Sequence, residues 1–138
     1  MILLTRRYRF AAAHVLAQPA LSSADNQRIF GKCANPAGHG HDYEIEVTLT
    51  GPLDAETGQI IAPGLLDEIF EETVGARYAH RMLNHVAPFG ELVPTAENIA
   101  RVCHDVLAEA VGQRSRARVA RVRITETPRN HAEYGEIG

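Results

Sequence analysis

The sequence contains no tryptophan, only two cysteines and no long apolar run. Two cysteines are too few for a disulfide framework, and this favours a reducing compartment. The apolar stretch at residues 1–4 precedes Arg6 and Arg7 and is too short for the apolar region of a signal peptide. No segment approaches the roughly 18 apolar residues that a membrane helix needs. We therefore expect a cytoplasmic protein that has no membrane partner.

An excess of basic residues is also missing. The 138 residues carry a formal net charge of −3, and the isoelectric point is about 6.1. A domain that binds nucleic acid usually has a clear basic excess, so nucleic acid is not an expected partner. The shares of hydrophobic and charged residues, 45% and 22%, are ordinary for a globular protein. The length fits one domain, which we expect to comprise residues 1–138.

Alternation of apolar and polar residues predicts the strands. In the first strand, Tyr8, Phe10 and Ala12 share one face with His14, which lies at the strand's end. The predicted strands are residues 6–14, 43–50, 59–62, 117–126 and 133–137, with 59–62 as a short returning strand after a turn at 54–58. Residues 17–31 are predicted to form a long loop that can contain a short helical turn, and such loops often carry function in compact domains.

Helical spacing of apolar residues occurs in two segments, 65–74 and 95–111. Thr95 can cap the second helix, and Gly112 is expected to end it. Cys103 lies on the buried stripe of this helix, which favours a role in core packing over a reactive thiol. The order β-β-β-α-α-β-β predicts an α+β fold, in which two helices cover one face of an antiparallel sheet.

Three histidines are the strongest chemical signal. His39 and His41 are two positions apart at the entry to a strand, so their side chains project to one face. His14 ends the strand that we expect beside them. Zinc accepts three imidazoles, and in catalytic sites it keeps a fourth position for water or substrate. The pattern therefore favours a catalytic Zn²⁺ site over three unrelated core or surface histidines.

Cys33 lies close to these histidines in the sequence and has two possible roles. It can be a fourth zinc ligand, which would make the site closed and structural. It can instead be a free thiolate that acts on the molecule bound to the metal, because nearby cations favour the thiolate. The spacing of the residues does not separate these two roles.

Several motifs occur in order along nearly the whole chain. They are FAAAH (10–14), FGKC (30–33), NPAGHGHDY (35–43), GPLD (51–54) with TG (57–58), HRMLN (80–84), PTAEN (94–98) and TET (125–127). Together they resemble the 6-pyruvoyl-tetrahydropterin synthases and their 6-carboxytetrahydropterin synthase relatives. The resemblance implies a tunnelling fold, which is a four-stranded antiparallel sheet with two helices. It also implies trimers that stack into hexamers, with active sites at the subunit interfaces.

The resemblance also implies the roles of individual residues. His14, His39 and His41 would bind Zn²⁺. Cys33 would abstract a proton, and His80 would take part in proton relay. The substrate would be 7,8-dihydroneopterin triphosphate, and loss of triphosphate would give 6-pyruvoyl-tetrahydropterin.

Further residues are expected around the substrate. Glu126 would anchor the pterin through its carboxylate, which can accept two hydrogen bonds from the ring's amino and N–H groups. Thr95 and Glu97 are expected to line the same pocket, although helix capping explains Thr95 equally well. The cationic candidates for the triphosphate are Arg28, Lys32, Arg81 and Arg129.

Some features leave the exact activity undecided. Ala79 precedes His80, whereas the family usually has an aspartate there that would orient the imidazole. The five residues between Cys33 and His39 favour the pyruvoyl-forming branch. The alternatives are a 6-carboxytetrahydropterin synthase of the queuosine route, a pterin-binding protein that keeps zinc but turns over weakly, and a structural zinc module with Cys33 as a ligand.

Overall fold

The computed structural model describes residues 1–35 and 38–136, and in these ranges four strands form one antiparallel sheet in the order β1-β2-β3-β4. The strands are Leu4–His14 (β1), His39–Thr50 (β2), Arg118–Thr127 (β3) and Asn130–Gly135 (β4). This confirms the four-stranded antiparallel sheet that the resemblance implies. The last strand starts three residues earlier than the predicted 133–137, and residue 137 of that prediction lies outside the described ranges.

Three helical segments accompany the sheet within the same described ranges, one more than predicted. They are α1 (Ser23–Phe30), α2 (Pro63–Phe70) and α4 (Ala96–Arg114), where α2 continues through a π-helical turn (Glu71–Gly75) into the short α3 (Ala76–Tyr78). Single 3-10 turns occur at Gly31–Ala34 and Leu83–His85. No helix in the described ranges is both long and apolar enough to span a bilayer.

The prediction of a long loop with at most a short helical turn over residues 17–31 is wrong for its second half, where the eight-residue helix α1 forms. Ser22 caps this helix, because its Oγ accepts a hydrogen bond from the Asp25 N–H at 3.1 Å. Asn26 is the helix's buried residue, and Ile29 is 52% exposed. Since α1 buries no apolar stripe, apolar spacing gave no signal for it.

The predicted strand at residues 59–62 is also wrong. The Asp54 N–H donates to the Gln59 carbonyl at 2.9 Å, and the Gly58 N–H donates to the Asp54 carbonyl at 2.8 Å. The backbone therefore closes a local loop instead of joining the sheet. Ile61 is nevertheless buried in the core, which explains why this stretch looked apolar.

Gly112 does not end the last helix, which continues to Arg114. A Cβ atom at Gly112 would meet nothing within 4 Å, so this glycine occupies an exposed helical position. The Arg114 guanidinium donates to Glu72 at 2.9 Å and to Glu68 at 3.1 Å, which ties the end of α4 to the α2 segment.

The main core lies between one face of the sheet and the helices α2 and α4, as predicted. The fully buried β2 residues Tyr43, Ile45, Val47 and Leu49 pack in one cluster with side chains of both helices. Cys103 is 0% exposed within this cluster, which confirms its predicted place in the core. This packing holds the strands in place, and the candidate site residues lie at the strands' ends.

Candidate metal centre and active site

The ends of three neighbouring strands bring four metal-ligating side chains together. His14 ends β1 directly opposite His39, the first residue of β2, and His41 follows two positions later. Glu126 lies near the end of β3. The potential ligand atoms of these four residues all lie within 4.8 Å of one another. The three histidines meet as their spacing predicts, and Glu126 joins them.

The orientation of the His14 imidazole is set by its surroundings. Its side chain is fully buried, and Nδ1 lies 2.9 Å from the Pro94 carbonyl oxygen and 3.0 Å from the Tyr43 hydroxyl. A carbonyl oxygen only accepts, so Nδ1 carries the hydrogen in this contact. The Nε2 lone pair then points toward the other histidines, which is the arrangement typical of a metal ligand.

The four side chains bring several acceptor atoms unusually close together. His14 Nε2 lies 2.9 Å from His39 Nε2 and 3.4 Å from Glu126 Oε1. His41 Nε2 lies 3.0 Å from the same carboxylate oxygen, yet without hydrogen-bond geometry. Within the described ranges this buried nitrogen has no hydrogen-bond partner. A cation at the centre satisfies all of these atoms, so the donor set fits a Zn²⁺ ion.

The electrostatics of the cluster also suit a cation. Burial lowers the pKa of His39, and the neighbouring imidazoles add to this effect. Burial likewise lowers the pKa of His41, although Glu126 opposes the shift. The adjacent His14 side chain, with smaller effects of His41 and His39, holds the pKa of Glu126 below its usual range. These shifts favour neutral imidazoles at His39 and His41 and a charged carboxylate at Glu126, the protonation states that metal binding requires.

A cavity of about 770 Å³ adjoins the cluster. This volume is in the range of sites that hold small molecules. The predicted site residues on its wall are Cys33, His39, His41, Thr95, Glu97 and Glu126, and Lys32 lies there as well. Most of the site residues expected from the sequence therefore face one space.

Cys33 lies in the 3-10 turn Gly31–Ala34 and is partly exposed. Its carbonyl accepts a hydrogen bond from the Leu16 N–H at 2.8 Å, which ties the turn to the segment after His14. The close group of potential ligand atoms does not include the Cys33 thiol. This placement favours a free thiol on the cavity wall over a fourth metal ligand.

His80 does not join Cys33 in that cavity. Its backbone has a positive φ of 60°, and its N–H donates to the Ala11 carbonyl at 2.6 Å. The exposed imidazole lines a second cavity of about 540 Å³, which Arg81 also lines. Of the other cations considered for a triphosphate, Arg28 contacts Asp25 at 3.4 Å.

Thr95 has both of the roles considered for it. Its Oγ accepts a hydrogen bond from the Asn98 N–H at 3.2 Å, so it caps α4. It also lines the cavity together with Glu97, which lies in the first turn of the helix. The cap therefore holds the helix start against the site.

Sequence reasoning missed two partners of His14. Tyr43 follows the strand alternation onto the same face as His41, a signal that we assigned to core packing alone. Pro94 contributes a backbone carbonyl, and no side-chain pattern identifies such a group. Glu126 was expected from the sequence to bind the pterin. Its place beside the histidines was not predicted, because that contact depends on how β3 pairs with β2.

The fold and the site define an α+β protein in which a cluster of three histidines and a carboxylate adjoins a cavity of small-molecule size. Residues 3–136 match the family model described as 6-pyruvoyl tetrahydropterin synthase. The chain belongs to this family, as its motifs indicated.

Individual relatives agree with the family match. The chain is 38% identical to 6-pyruvoyl tetrahydrobiopterin synthase of Drosophila melanogaster over 132 residues, which cover 95% of this chain and 77% of that protein. The structure of Caenorhabditis elegans 6-pyruvoyl tetrahydropterin synthase matches with a TM-score of 0.90 and 34% identity, covering 99% of this chain and 96% of that one. A more distant relative, 6-carboxy-5,6,7,8-tetrahydropterin synthase of Rickettsia bellii, is 26% identical over 147 residues, which cover 93% of this chain and 96% of that protein.

Proposed function

We propose that the protein is a zinc-dependent lyase that eliminates triphosphate from 7,8-dihydroneopterin triphosphate and forms 6-pyruvoyl-tetrahydropterin. The observation that carries the proposal is a cluster of three imidazoles and one carboxylate, of which His39, His41 and Glu126 line a cavity together with the Cys33 thiol. The names of the Drosophila and Caenorhabditis relatives support the pterin chemistry. The reaction needs no external oxidant, because elimination of triphosphate gives one ketone, and the remaining side-chain carbinol becomes the second ketone by losing the two hydrogens that the dihydropterin ring gains.

In this proposal His14, His39 and His41 would hold the metal. His14 would bind it through Nε2, and His39 and His41 through the ring nitrogen that faces the centre of the cluster. When bound, Zn²⁺ supplies Lewis acidity that polarises the substrate's side-chain oxygens and acidifies the adjacent C–H bond. Tyr43 and the Pro94 carbonyl hold the His14 ring in the orientation that this role requires.

Glu126 has two roles to choose between, because its carboxylate is both near the histidines and on the cavity wall. We assign it to the pterin. A catalytic zinc site keeps one position for substrate, and three imidazoles already fill the others. A carboxylate also matches the pterin's amino and ring N–H groups as a pair of acceptors. Thr95 and Glu97 complete the wall on this side.

Cys33 is the base in this proposal. Its thiolate takes a proton from a carbon of the substrate's side chain, and the triphosphate then leaves from the neighbouring side-chain carbon. Lys32 lies on the same wall and is the cation that we place near the triphosphate. Because a free thiol is required, the proposal includes the reducing cytoplasm as the place of action.

His80 belongs to the proposed proton relay, although it lines a different cavity from Cys33. The relay role of His80 and its position on another cavity are compatible if the active site lies between subunits. His80 of a second copy would then approach Cys33 of the first. We therefore include a homo-oligomer, a trimer or a hexamer, in the proposal.

The charges on the sheet support assembly of identical copies. On the face away from the core, one row of paired residues crosses all four strands, in the order Arg7, Glu46, Arg123 and Glu133. The row is positive at the β1 edge and negative at the β4 edge. In the described ranges no strand pairs with the outer edge of β4, or with β1 before Ala11. The β1 edge of one copy therefore complements the β4 edge of another.

One alternative keeps the substrate and changes the product. The Rickettsia relative is named a 6-carboxy-5,6,7,8-tetrahydropterin synthase, which favours 6-carboxytetrahydropterin of the queuosine route as the second candidate product. Ala79 favours a further alternative, a pterin-binding protein that keeps zinc but turns over weakly, because no carboxylate at that position orients His80.

Incubation of the zinc-loaded protein with 7,8-dihydroneopterin triphosphate tests the proposal, with triphosphate release and product mass as readouts. We expect triphosphate and the pyruvoyl product. A carboxy product would show that the protein is a 6-carboxytetrahydropterin synthase instead. Tight pterin binding without triphosphate release would contradict the enzyme proposal, and an Ala79→Asp variant that gains turnover would then identify the missing carboxylate as the reason.

A further inference from the structure

Asn84 holds the backbone of the residue that follows His14. Its Oδ1 accepts a hydrogen bond from the Val15 N–H at 2.8 Å, and its Nδ2 donates to the Val15 carbonyl at 2.9 Å. One carboxamide thus satisfies both backbone groups of one residue, as a neighbouring strand would. Asn84 ends the HRMLN motif, and the proposed chemistry uses only the histidine at its start.

The segment that carries Asn84 lies along the free side of β1. The His80 N–H donates to the Ala11 carbonyl at 2.6 Å, and the Ala13 N–H donates to the Arg81 carbonyl at 3.0 Å. Ala13 also forms a parallel bridge with Met82. The end of β1 is therefore held from both sides, by β2 on one edge and by residues 80–84 on the other.

The contact with Val15 lies midway between two parts of the proposed site. His14, on one side of Val15, is a proposed metal ligand. Leu16, on the other side, donates its N–H to the Cys33 carbonyl at 2.8 Å. The link His14–Val15–Leu16 is thus a short covalent connection between the metal centre and the turn that carries the thiol.

The entry to β2 is packed against the same segment. Gly38 has a φ of +75°, and a Cβ atom there would lie 2.6 Å from Met82 Cε and 3.5 Å from Val15 Cγ2. Residues 80–84, the end of β1 and the approach to His39 therefore share one tightly packed region. A shift of Val15 would be transmitted to both histidine-bearing strands.

We infer that Asn84 is a positioning residue, which sets the metal ligand His14 and the Cys33 turn relative to each other through the backbone of Val15. This inference rests on the proposed function, because it assumes that His14 binds the metal and that Cys33 is the base. Asn84 itself needs no contact with the substrate. Outer-shell residues of this kind typically change metal affinity or activity by about 10- to 100-fold.

The chain contains a matched control for this contact. Asn26 Oδ1 accepts from the Gln18 N–H at 2.8 Å, and Asn26 Nδ2 donates to the Gln18 carbonyl at 3.2 Å. This is the same two-bond contact between a carboxamide and one backbone residue. Gln18 lies in the loop beyond Leu16 and does not precede a proposed ligand. Asn26→Ala therefore removes equivalent hydrogen bonds without loosening His14.

The test compares Asn84→Ala, Asn84→Asp and Asn26→Ala with the wild-type protein. Zinc affinity is measured by competition with a chromogenic chelator, and kcat and KM are measured at saturating zinc. We expect Asn84→Ala to weaken zinc binding by about 10-fold or more and to lower kcat more than it changes KM. Asn84→Asp keeps the acceptor for the Val15 N–H and is expected to fall between Asn84→Ala and wild type.

Thermal unfolding separates positioning from simple stability. Asn84→Ala and Asn26→Ala are both expected to lower the unfolding temperature, but only the first should change zinc affinity. Equal zinc affinity and kcat in the wild type and both Asn84 variants would overturn the inference while leaving the proposed function intact. If Asn84→Ala does not fold, Asn84→Asp decides the question by the same readouts. A wild-type protein that neither binds zinc nor releases triphosphate would instead overturn the proposed function.

Discussion

At His14, three neighbours act on one buried imidazole. The Pro94 carbonyl and the Tyr43 hydroxyl lie at Nδ1, and His39 lies at Nε2. The ring cannot rotate without losing these contacts, so it already has the orientation that its proposed role as a metal ligand requires. Such preorganisation lowers the cost of assembling the donor set.

We predict that His14→Ala abolishes stoichiometric zinc binding. The loss in affinity should exceed the roughly 10- to 100-fold effect of outer-shell changes, because a ligand itself is removed. Metal content after dialysis against dilute zinc provides the measurement. His131→Ala is the control, since that histidine is half exposed on β4 and outside the cluster. Retention of one zinc per chain by His14→Ala would contradict the assignment.

The individual site residues differ in how far the sequence predicts them. The spacing of His39 and His41 places two imidazoles on one face whatever the rest of the fold does. The contact of Glu126 with them depends on the pairing of β2 with β3, two strands that are distant in the sequence. The Pro94 carbonyl has no side-chain signal at all. Local geometry was therefore predictable, and long-range geometry required the structure.

At the scale of elements, an ion pair joins the first strand to the α2 helix. The Arg6 guanidinium donates to both carboxylate oxygens of Asp67, at 2.6 Å and 2.8 Å, and the Tyr8 hydroxyl donates to the same carboxylate at 2.7 Å. Tyr8 also stacks on Phe70, with ring centroids 4.0 Å apart. The hydrogen bonds from Arg6 and Tyr8 lower the pKa of Asp67 below its ordinary value.

We predict that this contact stabilises the protein at neutral pH and is lost in acid. The folded-state pKa of Asp67 lies below the unfolded value of about 3.9, so the unfolded state binds more protons as the pH falls through this window. The contribution is therefore complete above the unfolded pKa and disappears as the pH drops through the folded one. Urea unfolding of wild type and Asp67→Asn should differ at pH 7.

The same comparison in acid provides the check. The difference in stability between wild type and Asp67→Asn should narrow steadily below about pH 4. It should be small in absolute terms, because the pair is partly exposed and screened by solvent. A gap that stays constant down to strongly acidic pH would show that Asp67 acts through something other than its charge.

Elements were predicted where they bury an apolar pattern and missed where they do not. Apolar and polar residues alternate in β1, β2 and β3 because one face of each strand packs on the core. The helix α1 buries mainly Asn26, so its start was visible only in the Ser22 cap. Residues 59–62 show the opposite error, in which a strand was predicted and none forms. Ile61 is buried although it lies in a loop, so the sequence there has the apolar pattern of a strand.

At the scale of the whole molecule, the sheet has complementary edges. Arg7 at the β1 edge contacts Glu46 at 3.2 Å, and Arg123 donates to Glu133 on β4 at 2.6 Å. The side chain of Arg7 is 71% exposed and so remains available to a further partner. If copies join edge to edge, Arg7 of one copy continues the charge row beside Glu133 of another.

We predict that Arg7→Glu weakens self-association. The substitution would place two negative charges at the junction between copies and would reverse the favourable pairing there. Sedimentation velocity over a concentration range measures the change. Arg101→Glu is the control, because Arg101 is exposed on α4 and is not part of the charge row across the sheet. An unchanged oligomer distribution in Arg7→Glu would exclude this row from the interface.

The central claim is that Cys33 acts as a base beside a zinc ion held by three histidines. Its most direct test is the rate of triphosphate release from 7,8-dihydroneopterin triphosphate by zinc-loaded wild type, Cys33→Ala and Cys103→Ala. Cys103 is the control thiol, because burial raises its pKa to about 12 and keeps it in the core. Positioned acid–base groups typically contribute about 10²- to 10⁴-fold to a rate.

The account predicts that Cys33→Ala keeps its zinc and slows by about 100-fold or more, whereas Cys103→Ala keeps the wild-type rate. Equal rates in wild type and zinc-loaded Cys33→Ala would contradict the central claim.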